Sequence, residues 1–235
     1  MVRRGVLAGA AGGASLAIFL RMVGEPTISR AITLEAQRSR GGAEEEVFSR
    51  GAQQIGGMVG AVAYGVCLGL IASLVLARAR RGPGAGSEWG RAMAVGAVGF
   101  VTLVLLPFLK YPANPPGVGD PATVGRRTAL FVILLAWSVM AGWVSWRLVI
   151  ALRGQRRPEH LVWGAGVGLY VVAGAVALAV MPGSPDVVDV PATLLWRFRI
   201  ASLGGSLLLW VVLGWVLGIL AQPRVDKILL TDHEE

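Results

Sequence analysis

Six long apolar stretches alternate with polar connections along the 235-residue chain. They cover about residues 5–23, 55–77, 92–109, 128–150, 161–181 and 200–221, and none has an acidic or basic residue deep in its interior. A helix rises about 1.5 Å per residue, so each stretch can cross roughly 30 Å of hydrocarbon. Backbone groups in lipid must be satisfied internally, and no stretch alternates as barrel strands do. The pattern predicts an all-α, polytopic integral membrane protein with about six transmembrane helices.

Composition agrees with this class of protein. Hydrophobic residues make up 54% of the chain and charged residues only 15%, whereas soluble domains contain roughly 25% charged residues. These values disfavour a water-soluble fold. The net charge of +8 is scattered over the ends of the apolar stretches rather than clustered with aromatic residues, so we expect no nucleic-acid partner.

Arginine-rich connections predict the orientation, because short cytoplasmic loops carry an excess of Lys and Arg. Two connections qualify, one flanked by Arg78, Arg80, Arg81 and Arg91 and the other by Arg147, Arg153, Arg156 and Arg157. Both chain ends are then cytoplasmic. Residues 1–221 form one membrane domain and residues 222–235 a cytoplasmic tail. We expect the first helix to be retained, since no clear small-residue cleavage site follows it.

The three connections on the opposite side share a short phrase. It reads Glu25-Pro26-Thr27 with Arg30, Asp120-Pro121-Ala122-Thr123 with Arg126, and Asp189 before Pro191-Ala192-Thr193 with Arg197. The phrase predicts that each connection starts its next helix with an acidic cap and a proline in the first turn. Pseudo-symmetry of three helix hairpins and coincidence both remain open. A short interfacial helix is also predicted within residues 24–54.

Glycines recur at the spacing that lets membrane helices pack closely. These are Gly5, Gly9 and Gly13 in the first stretch, Gly56 with Gly60 and Gly65 with Gly69 in the second, Gly164 with Gly168 in the fifth, and Gly214 with Gly218 in the sixth. The spacing predicts that each glycine set faces a neighbouring helix.

Carboxylates in the outer connections are the only plausible ligands for a hard cation. The candidate metal ligands are Glu25, Asp120 and an acidic patch that consists of Glu44, Glu45 and Glu46. A structural alternative exists for each of them. Glu46 lies one helical turn before Arg50 and is placed to pair with it, while Glu25 and Asp120 are placed to cap helices.

Four arginines are expected to form structural ion pairs at the outer ends of the helices, namely Arg50, Arg126, Arg197 and Arg199. Arg197 and Arg199 open the last helix near the membrane boundary. We expect one of them to point inward, toward Asp120 or the acidic patch. Interfacial snorkelling is the alternative.

No catalytic constellation stands out in the sequence. His160 and His233 are the only histidines, and neither has the spacing of a metal ligand or of a base that activates a nucleophile. There is no phosphate-binding GxxxxGK[ST] loop. We therefore expect no enzymatic activity and no bound cofactor.

The segments GEPTISRAITLE, EEEVFSRGAQ, LPFLKYPANPPGVGDPATVGRRTAL and DVPATLLWRFRIASLG resemble, in the same order, those of the CbtA family of predicted bacterial cobalt transporter subunits. The resemblance implies a membrane subunit of a cobalt uptake system that is linked to cobalamin synthesis and lies in the bacterial inner membrane. It also implies a small one-helix partner, CbtB-like, with a histidine-containing tail.

Cobalt would be the transported substrate rather than a resident cofactor. It prefers imidazole or mixed nitrogen and oxygen ligands, and the sequence of this chain indicates no such site, so the histidines would come from the partner. We expect the subunit to work as an oligomer or with that partner. The alternative functions are a non-transporting membrane scaffold or assembly factor and, less favoured, a membrane enzyme.

Overall fold

The computed structural model describes residues 1–38, 49–80, 87–116, 118–185 and 188–222, and these residues form helices and connections without a strand. Eight α-helices are α1 (Val2–Phe19), α2 (Glu25–Arg38), α3 (Arg50–Ala79), α4 (Glu88–Phe100), α5 (Leu106–Lys110), α6 (Val124–Gly154), α7 (Glu159–Val180) and α8 (Ala192–Ala221). Two π-helical segments, Leu20–Gly24 and Val101–Leu105, join α1 to α2 and α4 to α5. A short 3-10 turn, Pro121–Thr123, precedes α6.

These elements build six spans that are long and apolar enough to cross a membrane. They are Val2–Leu34, Arg50–Ala79, Glu88–Lys110, Pro121–Gly154, Glu159–Val180 and Ala192–Ala221, numbered first to sixth below. The predicted all-α membrane protein with six transmembrane helices is confirmed. We call the end of the bundle that holds the connections after the first, third and fifth spans the outer end. Its location outside the cytoplasm stays a prediction, as do the limits of the membrane domain and the tail.

The first span continues further than its apolar stretch suggested. Glu25 and Pro26 lie inside a continuous helical run to Arg38, and not at the start of a separate interfacial helix. A proline within a helix lacks an N–H and its ring crowds the carbonyl four residues earlier. The widened π-helical turn just before Pro26, in which the N–H of Glu25 bonds to the carbonyl of Leu20, accommodates it.

The shared acid-proline phrase consequently has three different outcomes. Asp120 caps its helix as predicted, since its carboxylate accepts a hydrogen bond of 2.8 Å from the N–H of Ala122. Pro191, and not Asp189, occupies the capping position of α8, and Pro191 makes no capping hydrogen bond with its side chain. Glu25 lies within a helix and caps nothing. The phrase recurs three times in the sequence, but its three copies do not have the same local structure.

Helix α1 lies between α3 and α8, and α8 in turn packs against α4. Helices α6 and α7 form a pair that contacts the π-helical segment after α4. The bundle core is centred on α8, where Leu209, Leu213 and Leu217 are buried together with Leu76 of α3. The sixth span thus lies between the first and third spans, and the third span connects them to the pair of α6 and α7.

Glycines bring α1 and α3 into backbone contact. A Cβ placed on Gly5 would lie 2.6 Å from the Ser73 Oγ, and one on Gly13 would lie 2.6 Å from the Ala61 carbonyl oxygen. Gly214 and Gly218 face α4, as the spacing predicted. Gly65 and Gly69 face α1, which also agrees with the prediction. The other two sets differ, because nothing lies within 4 Å of a Cβ at Gly56, Gly60, Gly164 or Gly168. In this chain those four glycines face away from the bundle.

The orientation can be tested with single cysteines introduced after Cys67→Ala removes the native thiol. Gln155 and Pro116 are exposed in connections at opposite ends of the bundle. In intact cells a membrane-impermeant maleimide is expected to label Pro116→Cys, whereas Gln155→Cys should react only after permeabilisation, because arginine-rich loops stay cytoplasmic. Labelling of Gln155→Cys in intact cells would show that the protein has the opposite orientation.

Candidate functional site

Glu25 is held by partners from its own span and from the second span. Its Oε1 accepts hydrogen bonds from Arg50 Nη2 at 2.5 Å, from Gln54 Nε2 at 2.8 Å and from Ser29 Oγ at 3.2 Å. The ion pair between Glu25 and Arg50 joins the first span to the second at the outer end of the bundle. A cation that bound this carboxylate would have to compete with the Arg50 guanidinium.

The other predicted metal ligands lie apart from Glu25. Asp120 is exposed and engaged in capping, with the Thr123 hydroxyl donating to its carbonyl oxygen at 2.7 Å. The acidic patch lies outside the described residues, so the predicted pairing of Glu46 with Arg50 stays a prediction. Within the described ranges no three side chains of His, Cys, Asp or Glu come together in a way that could hold a metal ion.

The arginines that were expected to form ion pairs also lie in different surroundings. Arg199 donates to neutral oxygens of the connection after the third span, from Nη2 to Asn114 Oδ1 at 3.0 Å and from Nε to the Ala113 carbonyl at 3.4 Å. Arg126 and Arg197 are exposed and form no ion pair with the residues that the structure describes.

Among the described residues Arg50 forms an ion pair, with Glu25, whereas Arg126, Arg197 and Arg199 do not pair with Asp120. Their expected pairing with the acidic patch falls outside the described residues. The physical reason is the helical repeat, since two residues apart on a helix point about 200° apart. Only one of Arg197 and Arg199 can face the bundle. The side that Arg199 faces presents a carbonyl and an amide oxygen rather than a carboxylate.

Two residues that the sequence analysis did not select join the third and fifth spans at the outer end. Lys110 Nζ donates to the Leu178 carbonyl at 2.7 Å, in the last turn of α7, where a cation also complements the helix dipole. Tyr111 Oη donates to the Pro182 carbonyl at 2.7 Å. Burial raises the pKa of the Tyr111 hydroxyl, so it remains a protonated donor.

The third span is helical throughout, but the π-helical turn Val101–Leu105 interrupts its α-helical hydrogen bonding. We call this interruption the break in the third span, and it is the strongest candidate for a functional element. The N–H of Leu106 bonds to the carbonyl of Val101 rather than to that of Thr102. Pro107, the next residue, has no N–H to offer. The Thr102 carbonyl consequently loses both of its helical partners.

A side chain from the fourth span satisfies the freed Thr102 carbonyl, and one from the fifth span contacts it. Ser138 Oγ donates to the Thr102 carbonyl at 2.7 Å and lies 2.9 Å from Tyr170 Oη, which reaches the Val101 carbonyl at 3.5 Å. Ser138 is 0% and Thr102 8% exposed. We call Thr102, Ser138 and Tyr170 the hydroxyl cluster. It brings three spans together through oxygen atoms inside the apolar bundle.

Such a cluster is costly in lipid, since every backbone polar group there must find a partner. Interrupted helices are a feature of transporter substrate sites. π-Helical turns such as this one often mark functional positions. Two signals in the sequence were available: Pro107 near the end of an apolar stretch, and hydroxyl residues within three stretches. Neither indicates by itself that the three residues meet.

The opposite end of the bundle is held by ion pairs. Glu88 accepts from Arg80 and, at 2.9 Å, from Arg91. Arg80 Nη2 also donates to the Ala221 carbonyl at 3.0 Å, which joins the second, third and sixth spans. Arg153 pairs with Glu159 at 2.8 Å across the connection between the fourth and fifth spans. Sequence reasoning used these arginines only to predict orientation.

Comparison with known proteins supports one family. Searches of the curated proteins and of the solved structures returned no match. A family model with the description "Probable cobalt transporter subunit (CbtA)" matches residues 1–222 of the chain. The match spans all six transmembrane helices and includes the broken third span. The chain therefore belongs to the CbtA family of probable cobalt transporter subunits.

Proposed function

We propose that this protein is the membrane subunit of a divalent-cation uptake system that carries cobalt across the bacterial inner membrane for cobalamin synthesis. Family membership supports the transport of cobalt and the role as a subunit. The observation in the fold that carries the proposal is the broken third span with its hydroxyl cluster. The proposal assigns no catalytic residue and no resident cofactor to this chain.

The broken span favours transport over a purely structural role. A scaffold needs only continuous helices, whose backbone groups are satisfied within each helix. Here the break in the third span removes a backbone hydrogen bond inside the bundle, and two further spans contribute hydroxyls to compensate. That arrangement provides a group of oxygen atoms at one level of an otherwise apolar interior, where a cation that crosses the bundle would need them.

Cobalt must exchange hydration water for ligands before it enters the bundle, because desolvation of a divalent cation is far costlier than that of a side-chain charge. We propose that Glu25, Asp120 and the acidic patch attract the ion at the outer end. Their oxygen atoms do not match the preference of cobalt for imidazole. A CbtB-like one-helix partner with a histidine-containing tail would supply those ligands.

The test compares cobalt-57 accumulation in cells that contain the partner and either the wild-type protein, no copy of it, or a variant with five neutralised acids. That variant carries Glu25→Gln, Glu44→Gln, Glu45→Gln, Glu46→Gln and Asp120→Asn. We expect loss of accumulation without the protein and at least about a threefold reduction in the variant, because acids concentrate cations near a pore mouth by electrostatic attraction.

Membrane-inserted protein is quantified beside uptake, since Glu25→Gln also weakens the pair with Arg50. Glu159→Gln, which neutralises an acid at the opposite end, is the matched control. Uptake that falls only in proportion to inserted protein would assign the acids a structural role. Equal accumulation with and without the protein would reject the transport function itself.

A further inference from the structure

Arg147 is a charged side chain on an apolar, outward-facing surface of α6. It is exposed, as are its neighbours on the same side of the helix, Trp143, Val144 and Ile150, whose exposed fractions are 56%, 40% and 39%. These neighbours are three or four residues from Arg147 along the helix, so their side chains surround it. A charged group that faces lipid is costly unless it is paired. Arg147 therefore requires an acceptor beside it.

Within the described residues no acidic side chain supplies that acceptor. Arg147 forms no ion pair and no hydrogen bond with them. Its guanidinium carbon, Cζ, lies 5.6 Å from the centre of the Trp143 ring, which is a cation–π contact. Such a contact uses the face of the guanidinium and leaves the N–H groups in its plane available to acceptors. The positive charge and its donors thus face outward from the bundle.

Arg147 and Trp143 lie near a membrane boundary, at the end of the bundle opposite the outer end. Arg147 is three residues before the end of its apolar stretch, a rise of about 4.5 Å, which an arginine side chain can span. Trp146 and Trp163 lie at the same end of α6 and α7 and are 39% and 45% exposed. Exposed tryptophans are typical of the level of the lipid headgroups. The Arg147 guanidinium can therefore reach the phosphate groups of the bilayer.

We propose that Arg147 and Trp143 bind the phosphate group of an anionic phospholipid. A phosphate offers several acceptor oxygens to the planar guanidinium, and the first methylene groups of the lipid can lie against exposed Val144. Arg156 and Arg157, in the connection that follows α6, are exposed and have no acidic partner among the described residues. Their charge favours a headgroup of net negative charge over a zwitterionic one.

Two pairs of substitutions separate a specific site from general electrostatic attraction. Arg147→Gln and Arg156→Gln remove the same charge from the same end of the bundle, and only the first removes it from the Trp143 ring. Trp143→Leu and Trp196→Leu each remove an exposed ring, and Trp196, which is 66% exposed, lies in the first turns of α8 at the outer end. All four side chains are exposed, so we expect the variants to fold.

The experiment titrates the full-length protein, purified in a non-ionic detergent, with dioctanoyl phosphatidylglycerol and measures binding by calorimetry. Dioctanoyl phosphatidylcholine and inorganic phosphate are the comparison ligands. We expect Arg147→Gln to weaken phosphatidylglycerol binding by about tenfold, because a charge-assisted hydrogen bond is lost, and Arg156→Gln to weaken it by less than about threefold. Trp143→Leu should weaken binding by about threefold through loss of the cation–π contact, and Trp196→Leu should leave it unchanged.

Equal effects of Arg147→Gln and Arg156→Gln would overturn the proposal, because they would indicate attraction to a diffuse charge. Equal affinity for the two lipids, or inorganic phosphate that binds as tightly as phosphatidylglycerol, would overturn it as well. If Arg147→Gln elutes as aggregate, the pair of Trp143→Leu and Trp196→Leu gives the answer with Arg147 intact.

A second measurement in native membranes distinguishes a lipid from a protein on this surface. Val144→benzoylphenylalanine places a photoreactive group beside Arg147, and we expect illumination to attach phospholipid to it, detected by mass spectrometry. Attachment to a second polypeptide chain would assign the surface to a protein contact and overturn the proposal. No metal enters either measurement, so the result is independent of the proposed cobalt uptake.

Discussion

Replacement of Gly69 by Val is expected to remove most folded protein from the membrane, whereas replacement of Gly60 by Val on the same helix should leave the yield unchanged. A Cβ on Gly69 would lie 2.6 Å from the Cα of Gly9 and 2.7 Å from its backbone nitrogen. Nothing lies within 4 Å of a Cβ on Gly60. The two substitutions add the same side chain to one helix and differ only in what it meets.

We expect a large effect of Gly69→Val because the added side chain would meet backbone atoms of α1 and not a flexible side chain. Overpacking of a core costs about 1–3 kcal/mol when side chains can shift. Backbone atoms of α1 cannot move without the whole helix, so the cost at Gly69 should exceed about 3 kcal/mol, a large part of the 5–15 kcal/mol that stabilises a typical domain. Loss of this contact also separates α1 from α3, whose packing brings Arg50 to Glu25.

The measurement is fluorescence-detected gel filtration of detergent extracts, with the area of the monodisperse peak as the readout. Gly9→Val, on the opposite side of the same contact, should reproduce the effect of Gly69→Val. Equal peaks for Gly69→Val and Gly60→Val would show that the helices do not pack as described. A loss for Gly60→Val alone would indicate that a partner covers that exposed face in the cell.

The second large effect is expected at the hydroxyl cluster. Ser138→Ala removes the donor to the Thr102 carbonyl, and a buried acceptor left without a partner costs about 1–3 kcal/mol. Ser206→Ala is the matched control, because the Ser206 hydroxyl bonds only to the Ser202 carbonyl within its own helix. We expect a clear fall in thermal stability for the first variant and little change for the second.

Pro107→Ala separates the structural contribution of the cluster from its proposed contribution to transport. The new N–H at position 107 can reach the freed carbonyl of the broken turn, so Ser138→Ala should cost less stability when Pro107→Ala is present. If the break serves cation passage, Pro107→Ala should retain stability yet lower cobalt-57 accumulation at equal inserted protein. Undiminished uptake in Pro107→Ala would contradict a role of the break in transport, and additive stability losses would contradict the hydrogen-bond assignment.

The number and approximate limits of the spans could be predicted from the sequence, because the bilayer imposes its thickness on each segment separately. Each of the six apolar stretches overlaps one span. The first apolar stretch ends near residue 23, whereas the helix of the first span continues to Arg38. The residues near Arg38 are polar, and the π-helical turn before Pro26 keeps the helix continuous. Hydropathy gives no sign of such a turn.

The candidate site could be predicted only in part. Glu25 and Arg50 were both selected, yet their pairing with one another was not, since 25 residues separate them and only the packing of α1 on α3 brings them together. One of Arg197 and Arg199 was expected to point inward, because the helical repeat assigns them to opposite faces, but the sequence did not indicate that Arg199 is the one. The hydroxyl cluster was missed because each of its residues is unremarkable within its own stretch.

The sequence by itself determined the class of protein, the helical spans and the glycine spacing, all of which depend on properties of one segment in lipid. Only the tertiary structure decided which glycines meet a backbone, which arginine faces the bundle and where the carbonyl freed by Pro107 finds its donor. These outcomes depend on which helix faces lie against each other. In lipid that choice rests on close packing and interhelical hydrogen bonds between segments distant in the chain, which no local spacing specifies.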